Sequence, residues 1–372
     1  MNKFDIFNSN HLRFARKRRG FTIAALASLL EITPRTLSNY ENGHGEPKGS
    51  LVPKISRSLN FPVDFFYRED VPSIETNTVS FRSLSRMSAS VKDAALSAGQ
   101  IALEFSMWLD KRFELPETDL PDLSNHEPET AAETLRSEWT MGQHPVGNMI
   151  HLLEAKGVRV FSLVEKTLDM DAFSFWMDDH PYVFLNTRKS VERSRFDAAH
   201  ELGHILLHKH GATPMGKEAE SQANRFASAF LMPQGSVIAK ASNVSSINSI
   251  ITVKSYWKVA ASALIRRMKD LCLLTEWNYR SFIIELSKRG YLKDEPNPLL
   301  CRETSKILPM IFQSLRKEGI KKEDIAREIG VFVDDIDALI FNLSFIGLHG
   351  GAKETRLSHG PDKKNQYLRL VK

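Results

Sequence analysis

Apolar side chains recur along this chain at two spacings, and the switch between them marks its parts. Residues 10–66 carry the helical spacing in short pieces. Thr22 is placed to cap a helix from residue 23 to about 30. Thr33-Pro34 gives a second start signal, threonine at the cap and proline in the first turn. That second helix, 34 to about 42, would be closed by Gly43, which tolerates a left-handed backbone. Leu26, Leu29 and Leu30 are expected to face inward on the first helix, Leu37 and Tyr40 on the second, with Ile32 in the turn. Two short helices joined by a tight turn make a helix-turn-helix. Arg35, Thr36, Ser38 and Asn39 are left on the outer surface, where such side chains reach base edges and phosphates of double-stranded DNA. The basic run Arg16-Lys17-Arg18-Arg19 is expected to lie against the DNA backbone.

Further on the pattern alternates. Residues 69–90 are polar and serine-rich and read as a linker, and 91–113 as an amphipathic helix. An acidic, proline-containing loop is expected over 114–129. Residues 128–156 read as helical, with Leu135, Trp139, Met149, Leu152 and Leu153 as core. Period-two runs at 158–163, 172–176 and 182–186 predict three strands, followed by a helix bearing His200, and so an α+β unit. Residues 264–290 are helical, with Arg266, Arg267 and Lys269 expected to be exposed. Residues 315–343 repeat a helix-turn-helix rhythm, but the would-be reading helix carries Asp334, Asp335 and Asp337, which phosphates repel. A packing or dimerisation element is expected there, with a mobile or edge-like tail from residue 350.

Composition narrows the class. The chain has 372 residues, 42% apolar and 26% charged, enough for two or three domains. No apolar run reaches the length of a membrane span, and Met1-Asn2-Lys3-Phe4-Asp5 has no signal-peptide pattern. Cys272 and Cys301 lack metal-ligand spacing and are expected to be buried structural thiols in a cytoplasmic protein. The net charge is +5, and residues 1–66 hold ten Lys/Arg against five Asp/Glu, so the first segment carries the whole excess. That is an electrostatic footprint for nucleic acid.

His200-Glu201-Leu202-Gly203-His204 puts two imidazoles one turn apart on one helical face, within reach of a single ion. Glu201 beside them is placed to take a proton from an attacking water. A third ligand is needed. His210 stands at the metzincin spacing, but Leu207 occupies the place of the glycine that would bend the chain there. The other candidate is Glu220, on the next helix and one turn from Asn224. Asn224 could then fix the tautomer of a ligating histidine. Continued helix through Ile205-Leu206-Leu207 favours Glu220. His180, Tyr182, Arg195 and His208 are candidate oxyanion donors, and the 182–186 strand is either a substrate edge or a plain core strand.

Residues 10–66, with the ending Asn39 to Pro47, resemble the phage-repressor (Xre-type) helix-turn-helix family. The resemblance implies a pair between Arg16 and Glu41. Ile23 departs from a frequent Gln, and Glu31 from a turn glycine, which puts a strained backbone at Glu31 unless the turn differs. Residues 195–208, 218–233 and the 182–186 strand resemble the ImmA/IrrE family of zinc peptidases, over about 129–293. Asp197-Ala198 stands where that family often has Thr-Leu. The resemblance implies one zinc ion per chain on His200, His204 and Glu220, with Glu201 as general base. The expected fold is thus an all-α helix-turn-helix domain (1–68), a linker with a helix (69–128), an α+β zincin-like peptidase domain (129–296) and a small helical region (297–372).

Together these imply a DNA-binding transcriptional regulator with its own zinc-dependent endopeptidase. Its expected partners are an operator, a protein substrate that is itself or a partner helix-turn-helix regulator or antitoxin-type protein, and a second copy in a homodimer. Control of stress, mobile-element or defence loci follows from the same resemblance. The alternative is a non-catalytic metal- or ligand-sensing regulator, against which Glu201 argues, since a sensor needs no general base.

Overall fold

Four short helices begin the chain: α1 (Ser9–Arg18), α2 (Ile23–Leu30), α3 (Pro34–Glu41) and α4 (Val52–Leu59). The computed structural model describes residues 6–70, 74, 80–81, 88–163, 172–208, 216–241, 244–299, 301–341 and 369–370. Thr22 and Thr33 cap α2 and α3 by accepting from the amides of Ala25 and Thr36. Gly43 has φ +71, and Glu31 closes α2 in the left-handed region at φ 58, a conformation glycine adopts at lower cost. Arg16 grips Glu41 with two charge-assisted bonds, Nε–Oε1 at 2.6 Å and Nη2–Oε2 at 2.9 Å. Leu29 does not face inward and is 48% exposed. At 100° per residue, Leu26, Ala27 and Leu30 span the buried arc, and Leu29 falls outside it.

The strands are β1 (Ser80–Phe81), β2 (Phe113–Glu114), β3 (Arg159–Leu163), β4 (Ala172–Met177), β5 (His180–Asn186) and β6 (Arg369–Leu370). Four of them form one sheet in the order β1-β4-β5-β3. β3 and β5 are parallel; β4 runs antiparallel to both β5 and β1. β5 is therefore interior, which removes the 182–186 strand as a substrate edge and leaves it as core. Period-two alternation separates two cores across this sheet. Val160, Ala172, Val183 and Leu185 face an aliphatic cluster. Phe161, Phe173, Phe175 and Phe184 face the other, which runs on into α1 and the first helices.

α5 (Ala89–Asp110) lies on the phenylalanine side. Thirteen of its 22 residues are buried, so it is not the amphipathic helix expected after the linker. Its Ala-Ala-Leu-Ser-Ala-Gly run admits neighbours on several sides; at Gly99, an added Cβ would lie 2.9 Å from Ile74 Cδ1.

α6 (Pro128–Glu138) and α7 (Met149–Ala155) replace the single helix expected over 128–156. The break falls where Thr140 and Gly142 take positive φ. α8 (Val191–Leu207) and α9 (Lys217–Leu231) follow the sheet, then α10 (Gln234–Ala241), α11 (Ile247–Trp257), α12 (Ala261–Asp270) and α13 (Glu276–Lys288). Arg267 is buried rather than exposed, its guanidinium bound to Glu129 at 2.5 and 2.7 Å and to the Met232 carbonyl. Cys272 and Cys301 are both exposed, not buried; Cys272 sits at φ 58 in the turn after α12, and Cys301 lies between α13 and the next helix.

The last helices, α14 (Ile307–Lys317), α15 (Lys322–Ile329) and α16 (Val333–Leu339), form the expected packing element. The Ser162 hydroxyl on β3 donates to the Ala338 carbonyl at 2.6 Å. Arg68, just past the first unit, donates to the carbonyls of Arg327 and Glu328 at 2.8 Å. Most of the expected C-terminal tail lies outside the described residues; Arg369–Leu370 pairs with β2. No described helix is long and apolar enough to cross a membrane.

Candidate metal centre and nucleic-acid interface

α8 is held from its start by Ser190, whose hydroxyl accepts from the Arg193 amide. Fourteen of its 17 residues are buried, because the sheet covers one side and α9 another. Gly203 permits the approach of α9: a Cβ there would lie 3.0 Å from Phe226 Cδ1 and 3.2 Å from Ala223 Cα. That approach brings Glu220, in the first turn of α9, over the two histidines of α8.

The three donors converge. His200 Nε2 and His204 Nε2 are 3.0 Å apart. Glu220 Oε2 is 3.4 Å from His200 Nε2, and Oε1 is 3.2 Å from His204 Nε2. Tetrahedral ligands at ordinary zinc distances stand about 3.3 Å from one another, so the donor set fits a small tetrahedral ion. His200 and His204 are buried, while the Glu220 side chain keeps 24% exposure, so the site opens on the α9 side. Burial pushes the Glu220 carboxyl up, but hydrogen bonds and charge from His200 and His204 outweigh it and hold the group well below the usual carboxylate range. His210 lies outside the described residues.

A hydrogen-bonded chain runs back from this cluster. His208 Nε2 stands 3.0 Å from Gln222 Oε1, and His208 Nδ1 stands 3.0 Å from His204 Nδ1. The amide oxygen only accepts, so His208 carries its proton on Nε2 and accepts at Nδ1 from His204. A metal ion would then take the place of the proton on His204 Nε2, the nitrogen that faces Glu220. Burial depresses the His208 pKa and keeps that ring neutral, against the opposing pull of Gln222. This is the tautomer-fixing role expected of Asn224, which instead donates to the Glu220 backbone carbonyl at 2.7 Å. His208 stands four residues beyond His204 on the same helical face, a spacing that was available to find it.

Glu201 is fully buried, and its Oε2 accepts from Ser174 Oγ on β4 at 2.7 Å. Nothing in the sequence marks Ser174; it emerges from strand register. Two oxyanion candidates are removed. Arg195 is buried against Glu303 and the Val146 carbonyl, and the Tyr182 hydroxyl bonds Ser106 of α5 across the sheet from α8. His180 opens β5 opposite Met177.

At the other end, Arg35 and Asn39 of α3 are exposed and Thr36 and Ser38 half-exposed, on one accessible helix. Thr36 Oγ1 is 2.8 Å from Thr33 Oγ1, and Ser38 Oγ accepts from Asn42 at 3.3 Å. Arg18 and Arg19 are not with them. Arg19 makes two bonds to Asp335 of α16, at 2.7 and 2.8 Å, and Arg18 Nε lies 3.6 Å from the same carboxylate. Asp335 is buried, and a buried carboxylate needs a charged partner more than a phosphate contact does. Arg13, on the same helix, donates to the Glu41 carbonyl and Asn42 Oδ1.

Two comparisons agree with this layout. A family described as helix-turn-helix (HTH_3) matches residues 12–66. A family described as IrrE N-terminal-like domain (Peptidase_M78) matches residues 153–269, a span that includes β3 to β5, α8 and α9. No curated protein matches the chain. The chain thus joins an N-terminal helix-turn-helix domain of the Xre type to an IrrE/ImmA-like Peptidase_M78 domain.

Proposed function

We propose that this protein is a DNA-binding transcriptional regulator whose second domain is a zinc-dependent endopeptidase, cutting either itself or a partner helix-turn-helix or antitoxin-type protein. The convergence of His200, His204 and Glu220 beside Glu201 carries this reading. One zinc ion per chain on those three residues would polarise a peptide carbonyl and acidify water. Glu201 accepts the proton from the attacking water and passes it to the departing amine. Ser174 holds the Glu201 carboxylate in one orientation, and His208 with Gln222 holds His204 in its ligating tautomer. Arg35, Thr36, Ser38 and Asn39 read or grip an operator, with a second copy on a second half-site. Cleavage between the two functions would relieve repression, as suits stress, mobile-element or defence loci in a cytoplasmic setting.

A second reading is a non-catalytic sensor of metal or ligand, favoured by the complete burial of Glu201. Intact mass after zinc incubation, compared with Glu201→Gln and with a partner regulator added, separates them. The enzyme gives zinc-dependent fragments in the wild type alone, while both proteins hold one zinc. Cleavage retained by Glu201→Gln overturns the assigned base. No fragment of either protein, with zinc bound and DNA affinity changed by it, selects the sensor.

A further inference from the structure

α13 packs against α11 and α12, burying Phe282 and Leu286, and turns its other face to solvent. Trp277 stands on that face with 76% exposure, the highest of any large apolar side chain among the described residues, and Ile284 with 54%. At 100° per residue, Trp277, Ser281, Ile284 and Lys288 fall within an arc of about 60°. Their spacing of four, three and four residues is that of a coiled-coil seam. Ser281 is the smallest of the four and leaves a notch between Trp277 and Ile284, in a groove flanked by Arg280 and Glu285. Large apolar side chains grouped in solvent on one stripe mark a surface made for a partner.

The stripe is complementary to itself. Antiparallel helices related by a two-fold axis bring residues equally far before and after the axis to one level. With the axis between Phe282 and Ile283, Ile284 of one copy meets the Ser281 notch of the other. Lys288 then lies over the Trp277 ring, a cation on an aromatic face. These four positions are the ones that an antiparallel seam brings together. Beside the seam, Glu285 comes nearly level with Asn278 of the second copy, an acceptor against a donor. Arg280 and Glu285 keep their own partners within each helix, Glu276 and Arg289, so no unpaired charge is enclosed. Each meeting occurs twice, as a closed dimer requires. Parallel copies would set Lys288 against Lys288 instead.

We propose that the exposed face of α13 is the dimerisation surface of this protein, an antiparallel helix pair formed with a second copy. Operator binding by two copies leaves their joining surface open, and α13 supplies it. A helix face offers far fewer residues than the roughly 20–30 a side of a standard interface, so the pair is weak by itself. Two half-sites on one operator would strengthen it by holding the copies together. Sedimentation velocity of the full-length protein, free of DNA and zinc, over about 1–200 µM tests it, and its failure leaves the operator and peptidase readings standing. The wild type is expected to dimerise with a Kd on the order of 10 µM. Trp277→Lys sets lysine against Lys288 and is expected to weaken the dimer at least ten-fold; the site is exposed, so the fold is kept. The exchange Trp277→Lys with Lys288→Trp restores the same pairing across the two-fold and is expected to return Kd to within about three-fold of wild type. A wild type that stays monomeric to about 200 µM overturns the proposal. So does a Trp277→Lys variant that dimerises like the wild type, which would place the contact on another face and leave α13 to a different partner. Loss without recovery in the exchanged variant overturns the antiparallel pairing, and the proposal with it.

Discussion

α3 and α8 are the two working helices, and they are built in opposite ways. α3 buries Leu37 and Glu41 and leaves Arg35 and Asn39 in solvent. α8 is enclosed by β4, β5 and α9, and its polar groups are bonded inside the fold: Glu201 to Ser174, His204 to His208 and Arg195 to Glu303. A DNA contact needs side chains that can adjust to a groove. A metal centre needs donors fixed before the ion arrives, because each misplaced donor weakens binding. The two ends are joined by α5 and α16, and the joint takes charge from the DNA-binding end to do it: Arg18 and Arg19 are bound to Asp335.

That joint is where the contrast can be broken most severely. Asp335 is almost fully buried between two arginines that keep only 10% and 20% exposure. Asp335→Ala leaves two guanidiniums facing a surface without a carboxylate. A loss of about 3 kcal/mol is expected, the low end for breaking a buried pair because the arginines retain some solvent. Urea denaturation measures it. The same variant releases two cations at the end of α1, free to reach phosphates, so the logarithm of DNA affinity is expected to fall more steeply with the logarithm of salt concentration. Unchanged stability and an unchanged salt slope together would falsify the joint.

The interior helix gives the next effect. His208→Ala removes the acceptor for His204 Nδ1, and zinc affinity is expected to fall 10- to 100-fold, as for other partners that orient a ligand. Asn224→Ala, which loses only a bond to a backbone carbonyl one turn back, is expected to leave affinity within about two-fold. Competition with a chromophoric chelator at fixed pH reads both. If the order is reversed, the hydrogen-bonded chain through Gln222 does not set the tautomer.

These contrasts also explain what the sequence could carry. The caps at Thr22 and Thr33, the left-handed Gly43 and the spacing of His200, His204 and Glu220 are local or lie one helix apart, so residue type and period specify them. Arg19 and Asp335 are 316 residues apart, and a basic run reads alike whether its partner is phosphate or carboxylate. Ser174 became significant only through β4 register against α8, and the burial of α5 only through elements closing on it from both ends of the chain. The expected exposure of Arg267 failed for a similar reason, since Glu129 approaches from α6.

The smallest effect tests α3 itself. Arg35 is exposed, in the first turn of a capped helix, and has no hydrogen-bond or ion-pair partner among the described residues. Removing it leaves the fold untouched, so any loss in operator affinity belongs to the interface. Arg35→Ala is expected to cost about 1 kcal/mol for a single phosphate bond, and up to about 3 kcal/mol if both guanidinium donors meet one base. Sequence dependence separates the two. A phosphate contact weakens all duplexes alike and lowers the salt slope by about one, whereas a base contact relaxes specificity at one position. Arg18→Ala in parallel is the control, since Arg18 is turned to Asp335. A larger loss of DNA affinity from Arg18→Ala than from Arg35→Ala would mean that the joint opens when DNA binds, and that the basic run moves to the phosphates in the complex.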